Sequence, residues 1–306
     1  MASSRIYPRV AILGARGIGR VHARIFRELG ADVCAVLGSS EGSAAAAAAE
    51  LATSMGARAK PFFEMERLLD ESLDAVSICT PPRLHFAQML AAFDRGLPVF
   101  CEKPLFWEDG TDLAGALNKL DVMEAHPNRR LFVNTSNAAF IDAVRARLPQ
   151  KEPVTRFFFR FHTNGPYRGH GIAVDLMPHG LSLVLRLLGR RAMSSFRQKS
   201  MDTRYGCWFS YGQCEVEFDF QEGDGPTQFL FRVHEREFRR VQEGRDETYR
   251  VYLQDVEAGD LVPVEDPFRT YISEFLRSVR DETPPRVDQS SEAAENMRLM
   301  ARALIP

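Results

Sequence analysis

The sequence predicts two halves of different kind: a doubly wound α/β half with a parallel sheet over residues 1–137, then an α+β half with a mostly antiparallel, open sheet over residues 138–306. Three observations lead there. Up to about residue 137, short apolar runs alternate with helical patterns, the order that gives parallel strands with right-handed crossovers. Beyond it, strand-like runs follow one another without helices between them, which points to antiparallel pairing. A glycine-rich turn directly after the first run marks a strand-to-helix corner where backbone N–H groups converge.

Arg9-Val-Ala-Ile-Leu13 is the first strand; it breaks at Gly14, and a helical pattern runs from Ile18 to about Leu29. Residues 31–37 form a second buried strand, followed by an alanine-rich helix from Ser43 to about Met55, alanine being the best helix former. Residues 74–79 are the next strand, then Thr80-Pro81-Pro82 and an amphipathic helix from about Leu84 to Arg95. Strands at 98–101 and 131–134 complete the first sheet. In the second half, a helix at 138–148 precedes strands at 154–162, 207–211, 214–220, 228–233 and 248–253. Cys214 to Phe220 alternates apolar and polar residues, as a sheet with one solvated face does. Turns at Gly223-Asp224-Gly225-Pro226 and Glu243-Gly244-Arg245-Asp246 separate the later strands, and helices at 268–280 and 291–304 close the chain. One sheet face carries aromatic and aliphatic residues: it suits a homodimer or homotetramer interface, or the chain's own helices cover it.

Composition narrows the partners. The chain has 306 residues, enough for two cores of ordinary size, with 45% hydrophobic and 26% charged residues. Its 39 basic and 41 acidic side chains leave a net charge of -2, so bulk electrostatics favour neither nucleic acid nor an anionic membrane. Cys34, Cys79, Cys101, Cys207 and Cys214 form no C-x-x-C pair, which excludes that metal or redox motif and fits a reducing cytoplasm. The N-terminal residues carry no apolar run of a secretory kind, and no stretch is read as a membrane span.

Gly14-Ala15-Arg16-Gly17-Ile18-Gly19 keeps the first and third glycines of the dinucleotide fingerprint and places Arg16 where the second belongs. With a strand before it and a helix after it, the segment reads as a pyrophosphate-binding turn of a Rossmann-type fold; the alternative is a tight turn without a ligand. At the end of the second strand stands Leu37-Gly38-Ser39-Ser40 rather than an acidic residue. Ser39 and Ser40 can donate to a 2′-phosphate and Arg16 can pair with it, so NADP is expected over NAD, with Glu41 as the group that would instead reach a ribose.

Asp175 and His179 lie four residues apart, so on a helix they share one face and the carboxylate can orient the imidazole. That is a proton-transfer pair; alternatively Asp175 serves the helix end and His179 is packed. Histidine's unperturbed pKa of about 6.5 suits a group that takes and returns a proton near neutrality. Lys103, after Glu102 at the end of an apolar run, faces the crevice of a parallel sheet or is a solvated lysine.

Together these pieces resemble the Gfo/Idh/MocA oxidoreductase family over essentially the whole chain. The matching segments are Val10 to Gly14 through Gly19-Arg20-Val21-His22, Ile78-Cys79-Thr80-Pro81-Pro82 with His85, Glu102-Lys103-Pro104-Leu105, and Gly171-x-x-x-Asp175-x-x-x-His179. The resemblance implies a nicotinamide dinucleotide on the N-terminal half and a small-molecule substrate beside it. By position it makes Lys103 the lysine near the reacting carbon, His179 the acid/base and Asp175 its support. Thr80, Pro81 and Pro82 would line the cofactor with His85 and Glu102 nearby, and no metal is implied. Three departures touch the pattern: Arg16, His170 before Gly171, and the segment Asn134-Thr135-Ser136-Asn137 in place of an arginine-phenylalanine pair. Asn134, Tyr167, Arg168 and His170 are candidate substrate contacts, though a loop Tyr or Arg is as often plain surface. Two functional classes follow: an oxidoreductase for a hydroxyl or carbonyl of a sugar, cyclitol or related metabolite, and a catalytically silent dinucleotide-binding sensor. Retention of Lys103, Asp175 and His179 together favours the enzyme. Reduction of a C=N or C=C bond is a third, weaker reading.

Overall fold

The computed structural model describes residues 7–148, 152–244, 249–281 and 289–305. The reading of residues 1–6, the end of the turn at Arg245-Asp246, and Thr248 of the strand expected after it lie outside them.

The first elements are β1 (Arg9–Leu13), α1 (Ile18–Glu28), β2 (Asp32–Leu37), α2 (Glu41–Met55), β3 (Lys60–Phe62), α3 (Met65–Leu69) and β4 (Ala75–Ile78). They continue with α4 (Pro82–Asp94), β5 (Val99–Cys101), α5 (Leu113–Ala125), β6 (Leu131–Val133) and the short α6 (Ala139–Val144). Then come β7 (Arg156–Thr163), α7 (His170–Leu188), β8 (Met193–Ser200), β9 (Arg204–Tyr211), β10 (Cys214–Glu222) and β11 (Gln228–Val233). The last are β12 (Arg236–Glu243), β13 (Arg250–Asp255), β14 (Asp260–Val264), α8 (Pro267–Asp281) and α9 (Gln289–Leu304).

The chain divides into two compact units, and neither is contiguous in sequence. One comprises Met1–Asn134 with Phe268–Ala294, the other Thr135–Pro267 with Glu295–Pro306, whereas the sequence reading keeps 138–306 together. The reason α8 joins the first unit is aromatic. Phe275 is fully buried against Phe26, Phe100 and Phe132, with ring centres 5.2–6.1 Å apart, and Arg130 Nη2 donates to the Ser278 carbonyl at 2.7 Å.

In the first unit a six-stranded sheet runs in the order β3-β2-β1-β4-β5-β6, with every pair parallel. Val10 to Leu13, Ala75 to Ile78 and Val99 to Cys101 are buried, as helices on both faces of a doubly wound sheet require. In the order of the strands, the chain reverses between β1 and β4, so the C-terminal ends of these strands open a crevice. The expected parallel sheet is there; β3, α3 and α5 are additions to the sequence reading.

The second unit holds an eight-stranded sheet, β14-β13-β12-β11-β7-β10-β9-β8, antiparallel except for the β7–β10 pair. Its inner face is aromatic: Phe159, Phe218, Phe220, Phe231 and Phe238 are fully buried. Helix α7 packs on this face, and Gly180 lets it approach, since a Cβ there would lie 2.8 Å from the Phe218 ring. By length and composition α7 could cross a membrane, but 61% of its apolar window is buried within this chain as a core helix. The outer face is polar and charged. Arg160 and Arg204 each donate to Asp219 at 2.7 Å; burial alone would raise the Asp219 carboxyl, yet His162 and these arginines hold it far below the usual carboxylate range.

Candidate functional site

Two glycines shape the β1–α1 turn because nothing larger fits. Gly14 has φ +84°, and a Cβ on it would lie 2.8 Å from the Cys79 carbonyl oxygen. A Cβ on Gly19 would lie 2.0 Å from the Gly14 carbonyl oxygen, so α1 can start this close to β1 only with glycine there. Gly17, at φ +50°, precedes the first residue of α1 with open space above it.

A cleft of about 450 Å³ opens over this turn. Gly14, Arg16, Ser39, Thr80 and Pro81, five of the residues assigned to the cofactor in the sequence, line it. Gly17, Ile18, Gly19, Ser40, Pro82, His85 and Glu102 are not among its lining residues. Ser40 has a structural duty: its hydroxyl accepts from Ser43 N at 3.2 Å and caps α2, while the Ser43 hydroxyl accepts from Ser40 N at 3.0 Å. The structure adds Gly38, Ser43, Ala47, Phe63, Met65, Cys79, Leu84 and Gln88 to the lining. Part of this was recoverable. Ser39, Ser43 and Ala47 recur at four-residue spacing, and so do Leu84 and Gln88 on α4, which is how one helix face meets a cleft. Phe63 and Met65 follow the unassigned β3, where no such spacing signals them.

Beneath the cleft lies a buried polar cluster. His22 is fully buried, with Nε2 2.8 Å from Glu102 Oε1, Nδ1 3.0 Å from Ser77 Oγ and Cys79 Sγ 3.2 Å from Nδ1. Burial alone would lower the imidazole pKa; Cys79 and Glu102 outweigh it and raise it to about 10. Burial likewise pushes the Glu102 carboxyl up, but its bonds from His22 and Asn134 and the nearby Lys103 charge bring it below the ordinary value. Asn134, a candidate substrate contact, is itself buried, and its amide nitrogen donates to Glu102 Oε1 at 2.5 Å. His85 is a strut: Nδ1 lies 3.0 Å from the Pro104 carbonyl oxygen and Nε2 2.7 Å from that of Thr80, and desolvation lowers its pKa. It ties the loop after β5 to the loop after β4.

Lys103 stands two residues past the end of β5, half-buried at the C-terminal end of the sheet, and its backbone N–H donates to Glu102 Oε2 at 3.2 Å. Thr80 Oγ1 donates to Gln88 Oε1 at 2.6 Å, which fixes the threonine on the cleft wall.

In the second unit, Asp175 and His179 both stand half-buried on α7, one turn apart. His179 Nδ1 receives the Asn137 amide at 2.8 Å, and its ring meets the edge of Phe161 with centres 5.3 Å apart. Sequence reasoning noted Asn137 only as part of a departure from the family pattern. A partner 42 positions away leaves no local trace. Tyr167, Arg168 and His170 are exposed around the start of α7. Their loop is fastened by Tyr167 N–H to Glu222 Oε2 at 2.8 Å and by Gly169 N–H to the Asp202 carbonyl at 2.8 Å. Among the described residues no group of three or more His, Cys, Asp or Glu is arranged to hold a metal ion.

A glycine-shaped turn at the C-terminal edge of a parallel doubly wound sheet, under an open cleft, is the arrangement of Rossmann-fold, NAD-binding oxidoreductase domains. Residues 8–128 match the Gfo/Idh/MocA family model, described as oxidoreductase family, NAD-binding Rossmann fold. An inositol 2-dehydrogenase of Cereibacter sphaeroides is 34% identical over 195 residues, covering 61% of this chain and 56% of that protein. The chain thus aligns with little more than half the length of this curated relative. Among solved structures, a myo-inositol dehydrogenase from Lactobacillus casei in complex with NAD(H) and myo-inositol superposes with TM-score 0.71 at 16% identity, covering 97% of this chain and 93% of that one. A 3-ketoreductase from Actinomadura kijaniata in complex with TDP-benzene and NADP gives TM-score 0.72 at 17% identity, covering 97% and 96%. At these identities the likeness is one of fold.

Proposed function

We propose that the protein is an NAD(P)-dependent oxidoreductase that moves a hydride between the dinucleotide and a hydroxyl or carbonyl carbon of a sugar, cyclitol or related small metabolite. One observation carries the reading: Lys103 lies just past β5 at the C-terminal edge of the same sheet whose β1, β2 and β4 ends form the 450 Å³ cleft. The bound nicotinamide supplies or accepts the hydride. The chain's own residues do the rest. Lys103 brings an ammonium that polarises a carbonyl and stabilises charge building on its oxygen. His179 moves the accompanying proton. With Nδ1 accepting from Asn137, a neutral His179 carries its proton on Nε2, and Asp175, one turn back on α7, supports the cationic form. Asn134, Tyr167, Arg168 and His170 are assigned to the substrate side; the burial of Asn134 makes its part indirect, through Glu102.

Since the two solved relatives hold NAD(H) and NADP respectively, the fold admits both. Arg16 and Ser39 on the cleft support a preference for NADP in this chain. We also assign the outer face of the second unit's sheet, where Trp208 and Phe158 lie among charged side chains around a 350 Å³ depression, to a homodimer or homotetramer. Light scattering at micromolar concentration showing a 34.5 kDa species would remove that assignment.

The test of function is a spectrophotometric screen of the intact protein with both oxidised dinucleotides against myo-inositol, aldoses and their acids, with reduced-dinucleotide binding followed by fluorescence. Turnover of a polyol or sugar is expected. Tight binding with no turnover across the panel would leave the silent sensor as the better reading.

A further inference from the structure

Arg240 interrupts an apolar row on the inner face of the second unit's sheet. From β13 to β9 the row runs Leu253, Arg240, Phe229, Phe161, Phe220 and Tyr205, and every member except Arg240 is buried and uncharged. The guanidinium carbon lies 4.6 Å from the centre of the Phe229 ring and 5.5 Å from that of Phe161. Phe161 is also the ring that His179 meets at 5.3 Å, so the guanidinium and the imidazole share one aromatic neighbour.

What sets Arg240 apart is that it has no counter-ion among the described residues. Its neighbours on β12 are matched: Arg236 pairs with Asp255 at 2.7 Å and Arg239 with Glu237 at 2.5 Å. Among the described residues, no carboxylate lies within ion-pair distance of Arg240. Desolvation holds its pKa below the usual arginine value, with Tyr249 opposing the shift. A partly buried cation without a counter-charge is costly, and aromatic faces on one side leave the planar fork of N–H donors free to take an oxyanion edge-on.

We propose that Arg240 is a specificity residue that binds an oxyanion of the substrate, a carboxylate or a phosphate, on the face that carries His179. The inference rests on the oxidoreductase reading and narrows its substrate to an anionic sugar or cyclitol derivative. The two rings, edge-to-face with each other at 5.3 Å, flank the guanidinium; the ligand supplies the charge that the described residues do not.

Calorimetric titration of the intact protein, loaded with whichever reduced dinucleotide it binds more tightly, decides this with three probes: D-glucuronate, glucose 6-phosphate and D-glucose. One of the two anions should bind about 10-fold or more tightly than glucose, and which one does separates carboxylate from phosphate. Arg240→Met should abolish the preference, and Arg240→Lys, which keeps the charge without the fork, should retain part of it. Glucose binding as well as both anions would overturn the proposal on the wild type alone, whatever the fate of the variants; so would an unchanged preference in folded Arg240→Met. Turnover is read separately. Anion preference without turnover removes the oxidoreductase reading and leaves the oxyanion site standing, whereas turnover confined to neutral polyols does the reverse.

Discussion

The two units build their sites from different materials. In the first unit the cleft takes its shape from backbone geometry: Gly14 and Gly19 admit no Cβ and let β1 and α1 approach, and the loops around it are held by the buried His22–Glu102 pair and the His85 strut. In the second unit the candidate site is made of side chains drawn from distant positions, with Asn137 behind His179 and Phe161 between His179 and Arg240. A backbone site is generic and binds what any member of the class binds. A side-chain site carries the individual chemistry, and mutation should therefore separate binding of dinucleotide from turnover along this line.

The largest expected effect tests that separation directly. Replacing His179→Asn or Lys103→Met should lower kcat by roughly 10²-fold or more, because proton transfer and charge stabilisation are typically worth about 10²–10⁴. Reduced-dinucleotide affinity, measured by fluorescence on the same preparations, should stay within a few-fold of wild type. Asp175→Asn and Asn137→Ala should each be milder, since they remove support and tautomer control and leave the proton carrier. Wild-type rates in both of the first variants would reduce α7 to a core helix.

A second measurement asks whether the backbone site depends on its buried pair. Breaking a buried ion pair typically costs about 3–5 kcal/mol; Glu102→Gln should fall at the lower end because the amide still accepts a hydrogen bond. The pH dependence gives the sign. His22 is raised to about 10 in the folded protein, so its contribution is complete below the unfolded value of about 6.5 and fades as pH rises toward 10. Glu102 is lowered, so its contribution is complete above the unfolded carboxyl value of about 4.3 and is lost as the solution is acidified. Thermal unfolding should show the largest difference between wild type and Glu102→Gln between these limits, narrowing on both sides. A pH-independent difference would mean that the pair is not ionised.

The same contrast explains what the amino-acid sequence disclosed. Gly14 and Gly19 obey a local steric demand, so the turn and the parallel sheet after it were readable from consecutive residues. Helix α5, absent from the elements the sequence predicts, carries a local signal as well, with Asp112 as cap and Ala116, Leu120 and Met123 buried at helical spacing. Strands β8, β12 and β14 were missed for a physical reason. Met193–Ser200 and Asp260–Val264 lie at the two edges of the large sheet and are largely exposed, and Arg236–Glu243 is rich in arginine. Such strands lack the apolar alternation that marks a buried one. The return of α8 to the first unit and the meeting of Asn137 with His179 are long-range events decided by packing.

The smallest effect concerns the one place where the generic cleft acquires a preference. Arg16 and Ser39 line it where the 2′-substituent of the adenosine ribose is expected, and neither is acidic. Glu41, the nearest carboxylate in sequence, begins α2 and is exposed. Ser40, whose hydroxyl caps that helix, is the weaker of the two serines as a ligand. A charge-assisted contact to a phosphate is worth about 1.5–3 kcal/mol, so NADPH should bind roughly 10- to 150-fold more tightly than NADH. Arg16→Ala should weaken NADPH and leave NADH nearly unchanged. Ser39→Asp should erase or invert the preference, since a carboxylate there repels the phosphate and accepts from a ribose hydroxyl. Fluorescence titration of both reduced dinucleotides reads all three comparisons. Equal affinities, or tighter NADH, in the wild type would mean that Arg16 lies along the adenine or pyrophosphate and that Glu41 takes the ribose, leaving the first unit's cleft without a preference for the 2′-phosphate.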